Sequence, residues 1–197
     1  MVLRYVEIAL GYLLYNFKAG ENALILNQDP YKDLPKQIKV TSDEFKEGEH
    51  WPEICAGVGV GGNKCPSLSI TCDVPEVKSL AVLCQDIGTP FVAITHMIAY
   101  AIDPKARKFE LGEFAIGTTS SDYKLGKTIG GVLGYRGPRP ITGHGPHEYI
   151  FQVFGLNEVA TEALDQLETP PSTNELLKVI EGNVIATGIL AGHYRRD

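Results

Sequence analysis

Positive charge is scarce in this sequence, and no segment concentrates it. The chain has 18 Lys and Arg residues against 24 Asp and Glu residues, which gives a formal net charge of −6. Proteins that bind nucleic acids neutralise phosphates with clustered Lys and Arg, so this balance argues against a nucleic-acid partner. The chain also lacks an Asn-x-Ser/Thr glycosylation site, which is consistent with a cytoplasmic protein.

Cysteine is also sparse. The four residues Cys55, Cys65, Cys72 and Cys84 have no Cys-x-x-Cys spacing of the kind found in paired zinc sites, and 197 residues are too many for a small disulfide scaffold. We therefore expect reduced, partly buried thiols in an intracellular protein.

No apolar run is long enough to cross a bilayer, which takes about 20 helical residues. The apolar residues from Leu3 to Phe17 recur at steps of three and four, the pattern of an amphipathic helix, but Glu7 interrupts them. Arg4 is the only basic residue before Lys18 and no Ala-x-Ala follows, so a signal peptide is not predicted. The helix is expected to dock on its own domain or to form a homodimer with a second copy. With so few cations on its polar face, it predicts at most peripheral membrane contact.

Glycine and proline, in contrast, are abundant, with 21 and 12 residues. They indicate many turns and favour a β-rich fold, and the length suits one domain with an extension. Residues 27–37 are polar and contain two prolines, which is typical of a linker. We therefore predict an N-terminal helical extension and linker over residues 1–37 and a domain over residues 38–197.

Alternating and apolar runs predict the strands of that domain. Two helices are expected before the last strand, one over Val159–Leu167 and one that opens at Ser172 with a capping box. Residues 103–140 form a glycine-rich excursion with little periodicity, which is either functional or wrongly assigned. The predicted strands are Ile38–Ser42, Leu68–Thr71, Lys78–Cys84, Phe91–Ile102, Tyr149–Leu156 and Asn183–Tyr194.

Histidines at strand ends are the candidates for chemistry. His144 and His147 lie in a rigid Gly/Pro loop before an apolar strand, His96 lies within another strand, and Asp86 lies in a Gly/Pro turn. Taken singly, such a histidine is often a core residue and such an aspartate often caps a turn. His144 and His147 supply only two ligands for zinc, and Phe151 stands where a zinc metalloprotease needs histidine.

Other catalytic patterns are missing as well. The glycine-rich segment 56–63 lacks the Gly-Lys-Ser/Thr of a phosphate loop, and no Gly-x-Ser-x-Gly nucleophile motif is present. What remains is an anion pocket without metal or cofactor. Imidazole N–H groups can bind phosphate or carboxylate oxygens, and the amides around Gly143 and Gly145 can add donors. A nearby Asp would orient one histidine.

Several motifs resemble one known family. In order, they are Leu83-Cys-Gln-Asp-Ile-Gly-Thr-Pro90, His96, Gly134-Tyr-Arg-Gly-Pro138 and Gly143-His-Gly-Pro-His-Glu-Tyr149. This series resembles the phosphatidylethanolamine-binding protein family, which includes Raf kinase inhibitor proteins and plant flowering-time regulators, and it is most similar to the bacterial and fungal members. The resemblance runs from about Ile38 to Tyr194.

The resemblance implies a mainly β fold, an antiparallel two-sheet Greek-key sandwich with helices near the carboxyl end. It implies a ligand pocket formed by Asp86, His96, His147 and Tyr149 with Pro138 as a wall, while His144 remains a secondary candidate. It also implies a non-enzymatic protein that binds phosphorylated or carboxylated ligands such as phospholipid headgroups and modulates a kinase or protease. The alternatives are a hydrolase or lyase using His96 and His147 with Asp86, or a scaffold with a vestigial pocket.

Two departures from the family pattern bear on the ligand. Gly88 replaces the second carboxylate of the family's Asp-Pro-Asp-x-Pro turn, and Glu148 replaces the arginine of its His-Arg-Tyr sequence. An inward Glu148 would weaken phosphate binding, whereas an outward one would change little.

Overall fold

The computed structural model describes residues 2–105 and 107–196. Within these ranges the helices are α1 (Val2–Leu14), α2 (Glu158–Asp165) and α3 (Thr173–Ile180). The strands there are β1 (Ile38–Thr41), β2 (Leu68–Cys72), β3 (Ser79–Asp86), β4 (Ile94–Ile102), β5 (Arg107–Phe109), β6 (Lys124–Leu125), β7 (His147–Leu156) and β8 (Val184–Tyr194).

The strands form two sheets in which every neighbouring pair is antiparallel. One sheet has the order β1-β2-β5 and the other β6-β4-β3-β7-β8. Val40 and Ile70 from the small sheet share a core with Val82 and Phe151 from the large one, so the sheets pack face to face. All of β3 is buried because it lies at the centre of the large sheet. The predicted mainly β, two-sheet antiparallel fold is confirmed.

Helices α2 and α3 cover the opposite face of the large sheet. Leu164 and Leu176 pack there against Leu83 and Phe154. The predicted capping box is present, since the Ser172 hydroxyl accepts from the amide of Glu175 and the Glu175 carboxylate accepts from the amide of Ser172. Both C-terminal helices therefore lie close to their predicted positions.

Two assignments from the sequence need correction. The strand predicted from Phe91 begins only at Ile94, because Phe91 has a left-handed φ of 69° that interrupts an extended chain. The excursion over 103–140 contains β5 and β6, which at three and two residues are too short to show periodicity. Ala106 in this excursion lies outside the described residues.

Residues between α1 and β1 contribute to the core. Leu24 and Tyr31 are buried, and the Tyr31 ring packs edge-to-face on Phe154. The amides of Ile25 and Leu26 donate to the side-chain oxygens of Gln85 and Gln152, at 3.1 and 2.9 Å. Part of the predicted linker thus packs on the large sheet, and the boundary between residues 37 and 38 stays a prediction.

Helix α1 docks on its own chain. A Cβ at Gly11 would lie only 2.1 Å from the carbonyl oxygen of Thr142, so glycine permits this close approach. The Glu7 carboxylate accepts from Arg196 at 2.6 Å and from the amide of Thr142 at 3.3 Å. The helix therefore lies against the loop that precedes β7, with most of its apolar side chains facing away from the domain.

All four thiols are unpaired, and Cys55, Cys65 and Cys84 are buried. Burial raises the pKa of Cys55 to about 12, so this thiol stays protonated at neutral pH. None of the described helices is long and apolar enough to cross a membrane.

Candidate functional site

Three strand ends meet at one edge of the large sheet. Asp86 ends β3 and pairs with Ile94 at the start of β4 and with Tyr149 near the start of β7. This register brings the predicted site residues together although they are far apart in sequence. Four of them, Asp86, His96, His147 and Tyr149, line a cavity of about 320 Å³. Its polar and charged lining includes Asp86, His96, Arg136, Arg139, His147 and Tyr149.

Asp86 and His147 form a buried pair. The Oδ2 and Oδ1 atoms of Asp86 lie 2.8 and 3.1 Å from Nδ1 of His147, and each residue is 2% exposed. The Oδ1 atom also accepts from the amide of Gly88 at 2.8 Å. The carboxylate is therefore held by the turn that follows β3, and it orients the imidazole.

A second histidine continues this hydrogen-bonded chain. Nδ1 of His144 lies 2.6 Å from Nε2 of His147, and Nε2 of His144 lies 2.7 Å from the carbonyl oxygen of Leu14 in α1. His144 is fully buried. It does not line the cavity but stands behind His147 and connects the site to the end of α1.

The number of hydrogens in this series of hydrogen bonds fixes the net charge of the cluster formed by Asp86, His147 and His144. The Leu14 carbonyl can only accept, so Nε2 of His144 donates. Burial, followed by the charges of Lys18 and His147, lowers the pKa of His144, which is therefore neutral and accepts at Nδ1. His147 must then donate at Nε2 as well as share a hydrogen with Asp86. The cluster of Asp86, His144 and His147 thus holds one proton more than a carboxylate with two neutral imidazoles, and its net charge is zero.

His96 presents one open nitrogen to the cavity. Its Nδ1 donates to the carbonyl oxygen of Arg136 at 2.5 Å, and its Nε2 lies 3.9 Å from Oδ2 of Asp86. Burial lowers the pKa of His96 and outweighs the opposing effect of the Asp86 charge. Because the neutral ring has its hydrogen on Nδ1, Nε2 offers a lone pair.

Tyr149 provides a buried hydroxyl. It has no hydrogen-bond partner among the described residues, and its ring lies edge-to-face with that of His96 at 5.3 Å. Burial, then the charge of Asp86, and then the hydrogen-bonding approach of the hydroxyl to the Asp86 carboxylate raise the pKa of Tyr149 well above its ordinary value. The hydroxyl therefore remains a donor at neutral pH.

Three residues proposed from the sequence lie elsewhere. Pro138 is not part of the cavity lining, because its carbonyl turns to accept from the amide of Gly57 at 2.8 Å. A Cβ at Gly143 would be 3.2 Å from the carbonyl oxygen of Ile8, and one at Gly145 would be 2.8 Å from the ring of Tyr15. Both glycines thus face α1 and its continuation rather than the cavity, since the N-terminal segment covers that side of the loop.

Two cations of the site were missed from the sequence. Arg136 and Arg139 flank the Gly-Pro segment, are exposed and line the cavity. Their position next to the Gly-Pro segment of a family motif could have indicated that they belong to the site. Glu148, in contrast, lines a separate cavity of about 790 Å³ and pairs across the sheet with His193 on β8. The departure at Glu148 therefore places no anion among the residues that line the smaller cavity.

We expect the protein to lose stability as the pH falls below about 6.5. Burial keeps the pKa values of His96 and His144 below their ordinary value of 6.5. The unfolded chain takes up these protons first, so the stability that His96 and His144 contribute is fully present above pH 6.5 and is lost as the pH falls towards their folded-state pKa values. Each proton contributes a slope of at most about 1.4 kcal/mol per pH unit. Urea unfolding between pH 7.5 and 5 measures this slope, and His96→Gln should reduce it. A stability that stays constant down to pH 5 would contradict the expectation.

Within residues 2–105 and 107–196, no group of three or more His, Cys, Asp or Glu side chains is arranged to hold a metal ion. The cavity lining offers hydrogen-bond donors, acceptors and two guanidinium groups. This arrangement suits the binding of a small polar ligand.

Comparison with known proteins agrees with the fold and the motifs. The family model for phosphatidylethanolamine-binding protein matches residues 41–195. A UPF0098 protein of Aquifex aeolicus is 32% identical over 193 residues, covering 95% of this chain and 99% of the relative. The Phomoidride biosynthesis cluster protein B of a fungal species is 28% identical over 207 residues, covering 98% and 95%. The crystal structure of E. coli YbcL superimposes with a TM-score of 0.71 at 24% identity, covering 82% of this chain and 99% of YbcL. The chain belongs to the phosphatidylethanolamine-binding protein family.

Proposed function

We propose that this protein is a non-enzymatic binding protein for small phosphorylated or carboxylated molecules of the size of a phospholipid headgroup. The observation that carries the proposal is that Arg136, Arg139 and Tyr149, whose hydroxyl is buried, line one cavity of about 320 Å³. That volume suits a small ligand. As the family resemblance implies, contact of the surrounding surface would modulate a kinase or protease.

The charges around the cavity favour an anion. The Asp86 carboxylate is balanced within the cluster by its shared proton, and Glu148 lines the neighbouring cavity. The guanidinium groups of Arg136 and Arg139 are left as uncompensated charges among the lining residues. Guanidinium groups bind phosphate and carboxylate oxygens in pairs of hydrogen bonds, so these two arginines are suited to hold the ligand's head.

Titration with o-phosphorylethanolamine and with acetate tests this function. Ring-proton shifts of His96 and His147 in nuclear magnetic resonance spectra are expected to saturate with either ligand. Because each charge-assisted hydrogen bond contributes about 1.5–3 kcal/mol, Arg136→Ala and Arg139→Ala should each weaken phosphorylethanolamine binding about tenfold or more. Lys108→Ala, at an exposed cation on β5, is the control and should bind normally. Unshifted histidine signals at millimolar ligand would instead favour a scaffold with a vestigial pocket.

Acid–base catalysis is the second candidate. The lone pair on Nε2 of His96 faces the cavity, so a general base is available there. The fungal relative is named as a protein of a phomoidride biosynthesis cluster. Under this alternative, His96 and His147 would serve with Asp86 in a hydrolase or lyase. Turnover on a panel of esters and phosphoesters that is lost in His96→Ala and His147→Ala would establish it.

We also propose that a second copy of the chain covers the outer face of α1. Four of its apolar residues, Leu3, Val6, Leu10 and Leu13, are 43–86% exposed, and four more aromatic residues between Tyr5 and Phe17 are 48–69% exposed. Exposed apolar side chains grouped along one helix are typical of a surface that binds another protein or a membrane. Arg4 is the only basic residue in α1, which argues against an anionic membrane as the partner.

The expected result is a dimer by light scattering that Leu10→Glu and Leu13→Glu each convert to a monomer. A charge placed in an apolar interface loses its hydration, so association should weaken by more than tenfold. Val159→Glu is the control, because Val159 is an exposed apolar residue on α2. A monomeric wild-type protein that binds anionic vesicles would overturn the dimer in favour of a membrane surface.

A further inference from the structure

The segment that follows α1 contacts both loops that carry the ligand site. On one side, the amide of Ala19 donates to the carbonyl oxygen of Thr89 at 2.8 Å. On the other side, the Lys18 ammonium group donates to the carbonyl oxygen of Pro146, also at 2.8 Å. The segment therefore bridges the turn after β3 and the loop before β7.

Helix α1 itself is held on the domain by few contacts. Among its described residues, none belongs to the buried apolar core. It is held by the close approach of Gly11 to the loop before β7 and by the Glu7 carboxylate, which binds Arg196 and the amide of Thr142. Such a partly exposed ion pair contributes little stability, and a helix of this length is marginal alone in water. Helix α1 is therefore able to leave the domain while both sheets stay folded.

The docked helix determines where the hydrogens of the site lie. Nε2 of His144 donates to the carbonyl oxygen of Leu14 at 2.7 Å and lies 3.2 Å from that of Phe17. With its hydrogen on Nε2, neutral His144 can only accept at Nδ1, where Nε2 of His147 lies 2.6 Å away. His147 therefore carries hydrogens on both nitrogens, and its charge balances that of Asp86.

Undocking of α1 removes this constraint. Nε2 of His144 then faces water, which can donate as well as accept. His144 is then able to carry its hydrogen on Nδ1 and to donate it to Nε2 of His147. His147 in turn keeps only the hydrogen that it shares with Asp86, so the cluster of Asp86, His144 and His147 has a net charge of −1. The titratable and charged groups around the two histidines are Asp86, His96, Tyr149 and Lys18, with Arg136 and Arg139 across the cavity and Glu148 in the neighbouring cavity.

We propose that the docking of α1 is a switch for the anion pocket. The docked helix keeps the cluster neutral and allows an anion to bind, whereas the undocked helix leaves the cluster negatively charged and unable to hold one. Because such coupling is reciprocal, an anion in the pocket also holds α1 on the domain. This inference rests on the anion-binding function proposed above.

Two variants undock α1 by different means. Gly11→Val places a Cβ 2.1 Å from the carbonyl oxygen of Thr142, a backbone clash that no rotamer relieves. Glu7→Lys puts a cation where the carboxylate binds Arg196. Both should speed hydrogen exchange of the α1 amides and weaken phosphorylethanolamine binding about tenfold or more in calorimetry at pH 7, since a unit charge a few Å from the ligand has at least that effect. Ala9→Val, on the exposed side of α1, is the matched control and should bind like the wild type. Wild-type affinity in both undocking variants would overturn the switch.

Ring ¹⁵N shifts of His147 give a readout that a loosened structure alone would not move. The wild-type protein and the Ala9→Val variant should show a ring protonated on both nitrogens at pH 7, and the two undocking variants a neutral ring. A doubly protonated His147 in both undocking variants would overturn the switch. These spectra need no ligand, so they remain decisive if the wild type binds neither phosphorylethanolamine nor acetate, a result that would overturn the anion-binding function instead.

The wild-type protein provides a check that does not depend on the folding of a variant. At one fixed protein concentration, saturating phosphorylethanolamine should slow hydrogen exchange of the α1 amides about tenfold, the same factor by which undocking weakens the ligand. If the amides of α1 exchange equally fast with and without bound ligand, then the helix and the pocket are not coupled.

Discussion

Replacing Asp86 by asparagine is expected to lower the free energy of unfolding by about 3 kcal/mol or more and to remove ligand binding. The carboxylate is buried and holds Nδ1 of His147 at 2.8 Å. Removing one partner of a buried ion pair typically costs about 3–5 kcal/mol, because the remaining charge has no counterion. In Asp86→Asn, His147 would either stay charged without a counterion or give up its additional proton at neutral pH, and both outcomes cost free energy. Urea unfolding at pH 7 measures the cost.

A surface carboxylate provides the matched control for Asp86→Asn. Asp165 pairs with Lys124 at 3.2 Å, and its side chain is 62% exposed. Asp165→Asn should change stability by less than about 1 kcal/mol, since exposed pairs contribute little. Ring ¹⁵N shifts add a second readout, because they distinguish a histidine protonated on both nitrogens from a neutral one. If Asp86→Asn is as stable as the control and the ring shifts of His147 are unchanged, then Asp86 and His147 do not share an additional proton.

Local sequence signals were sufficient for the three long strands β3, β7 and β8 and for α3. The β3, β7 and β8 segments are long and apolar, and Ser172 with Glu175 forms the capping box that predicts a helix start. Neither signal depends on residues that are distant in the sequence. The strand prediction for Phe91 to Ala93 was wrong because of the local backbone conformation. Its residues are apolar enough for a strand, but the left-handed φ of Phe91, directly after Pro90, is not visible in an apolar pattern.

Only the residues that line the cavity could be predicted from the sequence; the residue behind them could not be given its role. Asp86, His96, His147 and Tyr149 follow from motifs at strand ends, and antiparallel pairing brings strand ends together. The role of His144 was not readable in the same way, because its partner is a backbone carbonyl of α1, 130 residues away. Every residue has a backbone carbonyl, so no sequence pattern can indicate this partner. The Leu14 carbonyl nevertheless determines which nitrogens of His144 and His147 carry hydrogens.

Gly88 departs from the family motif because the packing around residue 88 leaves no room for a side chain. From the sequence it is a lost carboxylate beside the pocket. In the fold, a Cβ at this position would lie 2.5 Å from Cα of His147 and 2.7 Å from its Cβ and Cγ. The imidazole and its backbone occupy the space that a side chain at residue 88 would need. The glycine therefore permits the short contact between His147 and Asp86.

Gly88→Ala is accordingly expected to destabilise the fold by about 1–3 kcal/mol and to abolish ligand binding, and Gly88→Asp is expected to be worse. The clash involves the backbone of β7 as well as the ring, so a change of side-chain rotamer cannot relieve it, and overpacking of this kind costs that amount. Gly117→Ala is the control, because φ is +79° there and nothing lies within 4 Å of the added Cβ. It should cost only about 1–2 kcal/mol of left-handed strain and leave binding intact. Unfolding and phosphorylethanolamine titrations on the three variants measure both effects. If Gly88→Asp binds phosphorylethanolamine as well as the wild type does, then the position of His147 does not depend on this glycine.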